Sequence, residues 1–190
     1  MKQYIFNIGL NRSGTKSLTW ALRYLRIKSL HFAVGNDDIN QNAIEIENVI
    51  EDNIRRNLKA LNGLDEEYQG FSDFNGETYY KTLYKDYPNS MFILTVRPFN
   101  DWVKSNQANE LNIGRPEPTL EALIQKYNQI KDIRNFFSDK PDQFLEMDIC
   151  NGDGWDKLCK FLNLQKPNTK FPHYNKLPRQ KNVKLTRVQK

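Results

Sequence analysis

Apolar residues along this chain fall into two alternating rhythms. Tyr4, Ile5, Phe6, Ile8 and Leu10 form a short run near the N-terminus, the pattern of a strand buried on both faces. From Ser17 to Leu25 the spacing lengthens, with Leu18, Ala21, Leu22 and Leu25 on one helical face. Ser29 to Val34 predicts a second short strand. Asp37 or Asp38 then caps a predicted long helix in which Ile39, Ala43, Ile46, Ile50, Ile54, Leu58 and Leu61 recur at three- and four-residue steps. Its outer face carries Glu45, Glu47, Glu51 and Asp52 toward solvent.

Gly63 to Gly76 reads as loop, and Glu77 to Tyr87 as a helix stopped by Pro88. Met91 to Val96 is a continuous apolar run, as expected of a central parallel strand. Asn100 is placed to cap a helix through Trp102 and Val103, and a longer helix begins near Pro118 and Thr119. A strand over Gln143–Ile149 and a helix over Trp155–Leu164 follow. Beyond Gln165 the chain has Pro167, Pro172 and Pro178 and no periodicity. Strands alternating with helices across crossover-sized connections predict a three-layer α/β/α fold with a mostly parallel central sheet. Ligands in such folds collect at the carboxyl ends of the strands.

With 190 residues, the chain suits one domain, drawn here as residues 1–176, with a basic tail over 177–190. Residues 166–190 hold eight basic and no acidic side chains, leaving 20 basic against 23 acidic elsewhere. The net charge of +5 therefore belongs to the tail, which argues against a nucleic-acid face on the domain. No apolar stretch has the length of a membrane span and no signal-peptide pattern opens the chain, so a cytoplasmic location is the expectation. Two cysteines, Cys150 and Cys159, and two histidines, His31 and His173, lack metal-ligand spacing; the thiols are read as reduced and structural, and no metal is expected.

The first strand, a loop bracketed by Gly9 and Gly14, and the helix after it would present backbone N–H groups and a helix N-terminus to an anion. The nucleoside-triphosphatase pattern requires Lys directly after the second glycine. Here Thr15 takes that place and Lys16-Ser17 come one residue late, a slip of about 100° around a helix. Arg12 is the cation that fits instead. A second constellation follows the strand at Met91: Arg97 at its end and Ser105 eight residues on, near a helix start, suit a terminal phosphate. A strand-terminal arginine in a surface ion pair is the plain alternative.

Arg-Ser-Gly-Thr over Arg12–Thr15 resembles the 5′-phosphosulfate loop of sulfotransferases, and Arg97 with Ser105 resembles their 3′-phosphate segment. GFSD before a helix, YPNSMFILTVRPFNDWVKS, LEMDICNGDGWDKLCKFLNL and FPHYNK follow in the order of a small sulfotransferase-like group of P-loop proteins. The resemblance covers most of residues 4–176. It implies a P-loop-type fold, 3′-phosphoadenosine 5′-phosphosulfate as donor, and the 3′,5′-bisphosphate as product. The acceptor would be a small molecule or glycan offering a hydroxyl or amine.

On that resemblance Arg12, Ser13, Gly14, Thr15, Lys16 and Ser17 hold the 5′ end, and Arg97 and Ser105 the 3′-phosphate. Arg12 would also act in transfer, and Lys176 lies near a phosphate. Two positions offer a base, Asp73 before a helix and His31 on the second strand; the first could equally be a helix cap, the second a core histidine. Trp102 is read as core or as an adenine neighbour. Two other functions remain open to the sequence. One is a P-loop nucleotide kinase or ATPase. The other is a non-catalytic nucleotide- or anion-binding module whose tail contacts nucleic acid. Acceptor identity and oligomeric state are left open.

Overall fold

A computed structural model describes residues 2–34 and 43–174. Lys176 and the basic tail lie outside the described residues. Among the described residues, seven strands form one sheet: β1 (Ile5–Asn7), β2 (Ser29–His31), β3 (Ala33–Val34), β4 (Ile44–Glu45), β5 (Gly70–Ser72), β6 (Met91–Thr95) and β7 (Phe144–Met147). Their spatial order is β4-β3-β2-β5-β1-β6-β7. The pairings among β2, β5, β1, β6 and β7 are parallel, and β3 and β4 extend one edge antiparallel. Among the same residues, six α-helices accompany them: α1 (Thr15–Tyr24), α2 (Ile46–Arg55), α3 (Gly76–Asp86), α4 (Phe99–Asn112), α5 (Leu120–Phe136) and α6 (Trp155–Leu162). The expected α/β fold with a mostly parallel sheet is the one observed.

Period-two alternation divides the strands between two apolar layers. Phe6 pairs in register with Phe71 on one side and Phe92 on the other, and Phe92 with Phe144, so a row of rings crosses the sheet on one face. Ring centroids lie 5.9 Å apart for Phe6–Phe71 and 5.3 Å for Phe6–Phe92, inside the favourable aromatic range. This face packs with Ile50, Leu83, Trp102, Ile130 and Phe137 from α2, α3, α4, α5 and the end of α5. Ile5, Ile93 and Met147 point the other way, onto Leu18 and Leu22 of α1 and Leu158 of α6. α1 follows β1 through the loop that ends at Gly14.

Four local expectations are corrected. The predicted strand over Ser29–Val34 breaks at Phe32, whose φ of 67° reverses the chain so that β3 runs antiparallel to β2. The predicted long helix survives only as α2: Ile44–Glu45 pairs as an edge strand, and Asn57 enters the left-handed region (φ 57°) where Arg56 ends the helix. Its start at Asp37 or Asp38 lies outside the described residues. The stretch read as loop contains β5, a central strand hidden by its three-residue length. Finally, Pro98 rather than Asn100 stands at the N-cap of α4, because Trp102 N–H donates to Pro98 O and the helical ladder opens two residues before Asn100.

Candidate functional site

The carboxyl ends of β1, β2, β5 and β6 meet around the N-terminus of α1. Chain order among the parallel strands reverses beside β1, which has β5 on one side and β6 on the other. Such a switch point opens a crevice above the sheet. A cavity of about 370 Å³ occupies it. Arg12, Gly14, Thr15, Lys16, Ser17, His31, Asp73, Arg97 and Ser105 all line it, joined by Ile149, Cys150, His173 and Tyr174. Every expected site residue but two thus faces one space: Ser13 is turned away from it, and Lys176 lies outside the described residues.

The loop owes its shape to two left-handed residues, Arg12 (φ 66°) and Gly14 (φ 102°). Only glycine takes the latter conformation readily, and a Cβ there would stand 3.2 Å from Ile149 Cβ. Gly14 is the N-cap of α1 and offers no side chain, so the first-turn N–H groups keep their capacity for an outside anion. Gly9 is required by closeness instead: a Cβ there would lie 2.2 Å from Thr95 Oγ1 and 2.3 Å from Thr95 O.

Three loop carbonyls are held from behind. Ser13 donates its hydroxyl to Leu10 O at 2.5 Å, Trp102 Nε1–H donates to Asn11 O at 2.8 Å, and Arg97 Nη1–H donates to Arg12 O at 3.3 Å. Trp102 is fully buried and packs against Tyr127, so its place is the core. Arg12 Nε–H donates to Ser105 Oγ at 3.4 Å, linking the two expected phosphate grips directly. Burial pushes the Arg12 guanidinium down from its ordinary value; Asp73 opposes that, and Arg97 adds to it. Arginine stays protonated through such a shift. Arg97 Nε is buried without a hydrogen-bond partner among the described residues. Among the lining residues three cations, Arg12, Lys16 and Arg97, face one carboxylate, Asp73. That surplus fits an anionic ligand.

Asp73 stands after β5 in a left-handed conformation, with φ 61°. Thr15 donates its hydroxyl to Asp73 Oδ1 at 3.0 Å, and His31 Nε2 lies 3.6 Å from Asp73 Oδ2 and 3.4 Å from Thr15 Oγ1. The two candidate bases are therefore neighbours. Asn75, not Asp73, is the N-cap residue of α3. Ser17 accepts a hydrogen bond from Tyr174 N–H at 3.0 Å, and Tyr174 stacks on Trp20 at 5.3 Å. Farther back on the same segment, Phe171 packs on Trp155 at 4.9 Å, and Trp155 Nε1–H donates to Thr169 O at 2.8 Å. Residues Phe171–Tyr174 are thereby laid across α6 and α1 to the cavity wall.

The sulfotransferase domain family matches residues 4–125 and 112–179 of the chain. The chain belongs to the sulfotransferase family. Among solved structures, a sulfotransferase from Alicyclobacillus acidocaldarius is similar in fold, with a TM-score of 0.55 and 16% identity over 92% of this chain and 87% of that one. The sulfotransferase domain from the curacin biosynthetic pathway aligns with a TM-score of 0.47 and 17% identity, over 88% of this chain and 76% of that one. No curated protein matches the chain. Within this family member, the matched region takes in the whole described cavity.

Several contributors to the site are not among the residues expected there. Cys150, which bears a free thiol, and Ile149 reach the cavity on a short 3₁₀ turn after β7, more than 130 residues from the loop they touch. Asn7 and Thr95 are fully buried beneath the loop, on strands that only their apolar neighbours mark in the sequence. No helix among the described residues is long and apolar enough to cross a membrane. Among the same residues, no group of three or more His, Cys, Asp or Glu is placed to hold a metal ion.

Proposed function

We propose that this protein transfers a sulfuryl group from 3′-phosphoadenosine 5′-phosphosulfate to a hydroxyl or amine of a small-molecule or glycan acceptor. The observation that carries the reading is the joining of two guanidinium grips in one cavity, through Arg12 Nε–H to Ser105 and Arg97 Nη1–H to Arg12 O. A donor phosphorylated at both ends requires two such grips. The unpartnered Arg97 Nε and the surplus of cations fit that demand.

The donor supplies an activated sulfuryl group on a phosphate leaving group. The chain supplies position and charge. Arg12 and the first-turn N–H groups of α1 hold the 5′ end and stabilise the charge that grows on the leaving oxygen. Arg97 and Ser105 hold the 3′ end, fixing the angle of approach. Asp73 takes the acceptor's proton as the bond from the acceptor oxygen or nitrogen to sulfur forms and the S–O bond to the phosphate leaving group breaks.

Geometry favours Asp73 over His31 for that task. The Asp73 side chain is 22% exposed and that of His31 10%, while the histidine's Nε2 is turned toward Thr15 and Asp73 rather than outward. His31 then serves as the residue that orients the carboxylate. Thr15 fixes the other oxygen. A cytoplasmic location is part of this proposal.

Calorimetric titration of adenosine 3′,5′-bisphosphate, beside magnesium-ATP, tests the reading. Metal-independent binding of the bisphosphate is the expected result. Binding of magnesium-ATP alone would overturn it in favour of a nucleotide kinase.

A further inference from the structure

The floor beneath the loop is polar and sealed. Asn7 and Thr95 are 0% exposed and Ser13 1%, yet all three carry hydrogen-bonding side chains. Gly9 N–H donates to Asn7 Oδ1 at 3.0 Å, and Thr95 Oγ1 lies 3.0 Å from the same oxygen. Ser13 Oγ lies 2.7 Å from Thr95 Oγ1 and donates to Leu10 O. The single hydrogen of Thr95 goes to Asn7 Oδ1, which also accepts Gly9 N–H, so the Thr95–Ser13 contact draws on the one hydrogen of Ser13, which Leu10 O and Thr95 Oγ1 share. One hydroxyl on β6 therefore meets both ends of the Gly9–Ser13 bend: Ser13 directly, and Gly9 through the Asn7 Oδ1 that both share.

That bend includes a non-glycine residue in the left-handed region, Arg12, a conformation that persists only where surroundings enforce it. Thr95 also sits two residues before Arg97, so the strand that carries one grip braces the loop of the other. We propose that Thr95, acting with Asn7, is a positioning residue: it fixes the loop geometry that aims Arg12 and the α1 N-terminus at the donor's 5′ end. This inference rests on the donor reading above and concerns residues outside the cavity lining.

The test compares adenosine 3′,5′-bisphosphate with adenosine 3′-monophosphate on wild type, Thr95→Val and Thr95→Ser. Valine keeps the shape and deletes the hydroxyl; serine restores it. Thr95→Val should lose about tenfold in affinity for the bisphosphate, the scale of one buried hydrogen bond, while binding the 3′-monophosphate within about twofold of wild type. Thr95→Ser should recover the difference. Asn7→Ser, which withdraws the oxygen shared by Gly9 and Thr95, should reproduce the same selective loss, and it serves if Thr95→Val fails to fold. Equal losses for both nucleotides, no loss, or failure of serine to rescue would each overturn the assignment and leave Thr95 as a core residue. Wild type that binds neither nucleotide would instead overturn the donor reading itself.

Discussion

Arg97→Ala is the sharpest probe of the two-grip arrangement. The side chain is half-buried at the end of β6, with Nη1–H on Arg12 O at 3.3 Å and Nε without a partner. Hydrogen bonds from a cation to phosphate are worth about 1.5–3 kcal/mol each in such settings. Taking one to two such bonds to the 3′-phosphate, the substitution should cost about 3 kcal/mol, or about 100-fold in affinity. The long contact to Arg12 O is weaker, so its loss should disturb the 5′ end by only about 0.5–1 kcal/mol, or about threefold. Calorimetry at fixed ionic strength with adenosine 3′,5′-bisphosphate and with 5′-AMP separates the two contributions. The bisphosphate should weaken by about 100-fold and 5′-AMP by about threefold. Arg97→Lys, which keeps charge and loses the fork, should fall between wild type and alanine. Equal weakening of both nucleotides would refute the reasoning, because Arg97 would then act through the loop alone.

Three further outcomes follow from the same geometry. Asp73→Asn should lower turnover by about 10²–10⁴-fold while bisphosphate binding persists; His31→Gln should cost less and alter the pH–rate profile, and a normal rate in Asp73→Asn would end its assignment as base. Gly9→Ala should destabilise by about 3 kcal/mol or prevent folding, because its Cβ meets the Thr95 backbone as well as its hydroxyl; an unchanged urea midpoint would contradict the contact. Glu77, almost fully buried beside Lys126 at 3.1 Å, is pushed above its ordinary value near 4.5, chiefly by burial, with Lys126 opposing. A carboxyl raised in the folded state favours folding while protonated, and that contribution is lost as pH rises from about 4.5 through the raised value. Thermal midpoints of wild type should therefore fall across that window relative to Glu77→Gln, and parallel curves would refute the shift.

The loop and the 3′ segment were legible because their chemistry is local in sequence: Gly9 to Ser17 and Arg97 to Ser105 each lie within a single strand–helix unit. Packing residues in β1 and β6 were legible for the same reason. β5 was not, because Gly70–Ser72 is too short for any period and draws its stability from β1 and β2, distant in the chain. The long-helix expectation failed because three- and four-residue spacing also collected Ile54 and Leu58, which the structure leaves 40% and 38% exposed. Spacing counts apolar residues; it does not weigh the reversal at Asn57. Thr95 was invisible as a site residue because a threonine inside an apolar run reads as strand, and its partner Asn7 lies on another strand.

A physical reason favours arginine at both grips. Arg12 lies in a partly desolvated cavity beside a second cation, and both conditions depress its affinity for a proton. A lysine in that place would yield part of its charge, since its ordinary value lies far closer to neutrality. A guanidinium keeps its charge and still offers several N–H groups in a plane. Arg12 spends Nε on Ser105, and Arg97 spends Nη1 on the loop backbone, so each is held in orientation before any anion arrives. The conformational cost of fixing these long side chains is met during folding rather than on binding. The one-residue slip that removes lysine from the loop's usual position therefore has a structural counterpart: the charge has moved to a side chain that β6 and α4 can brace.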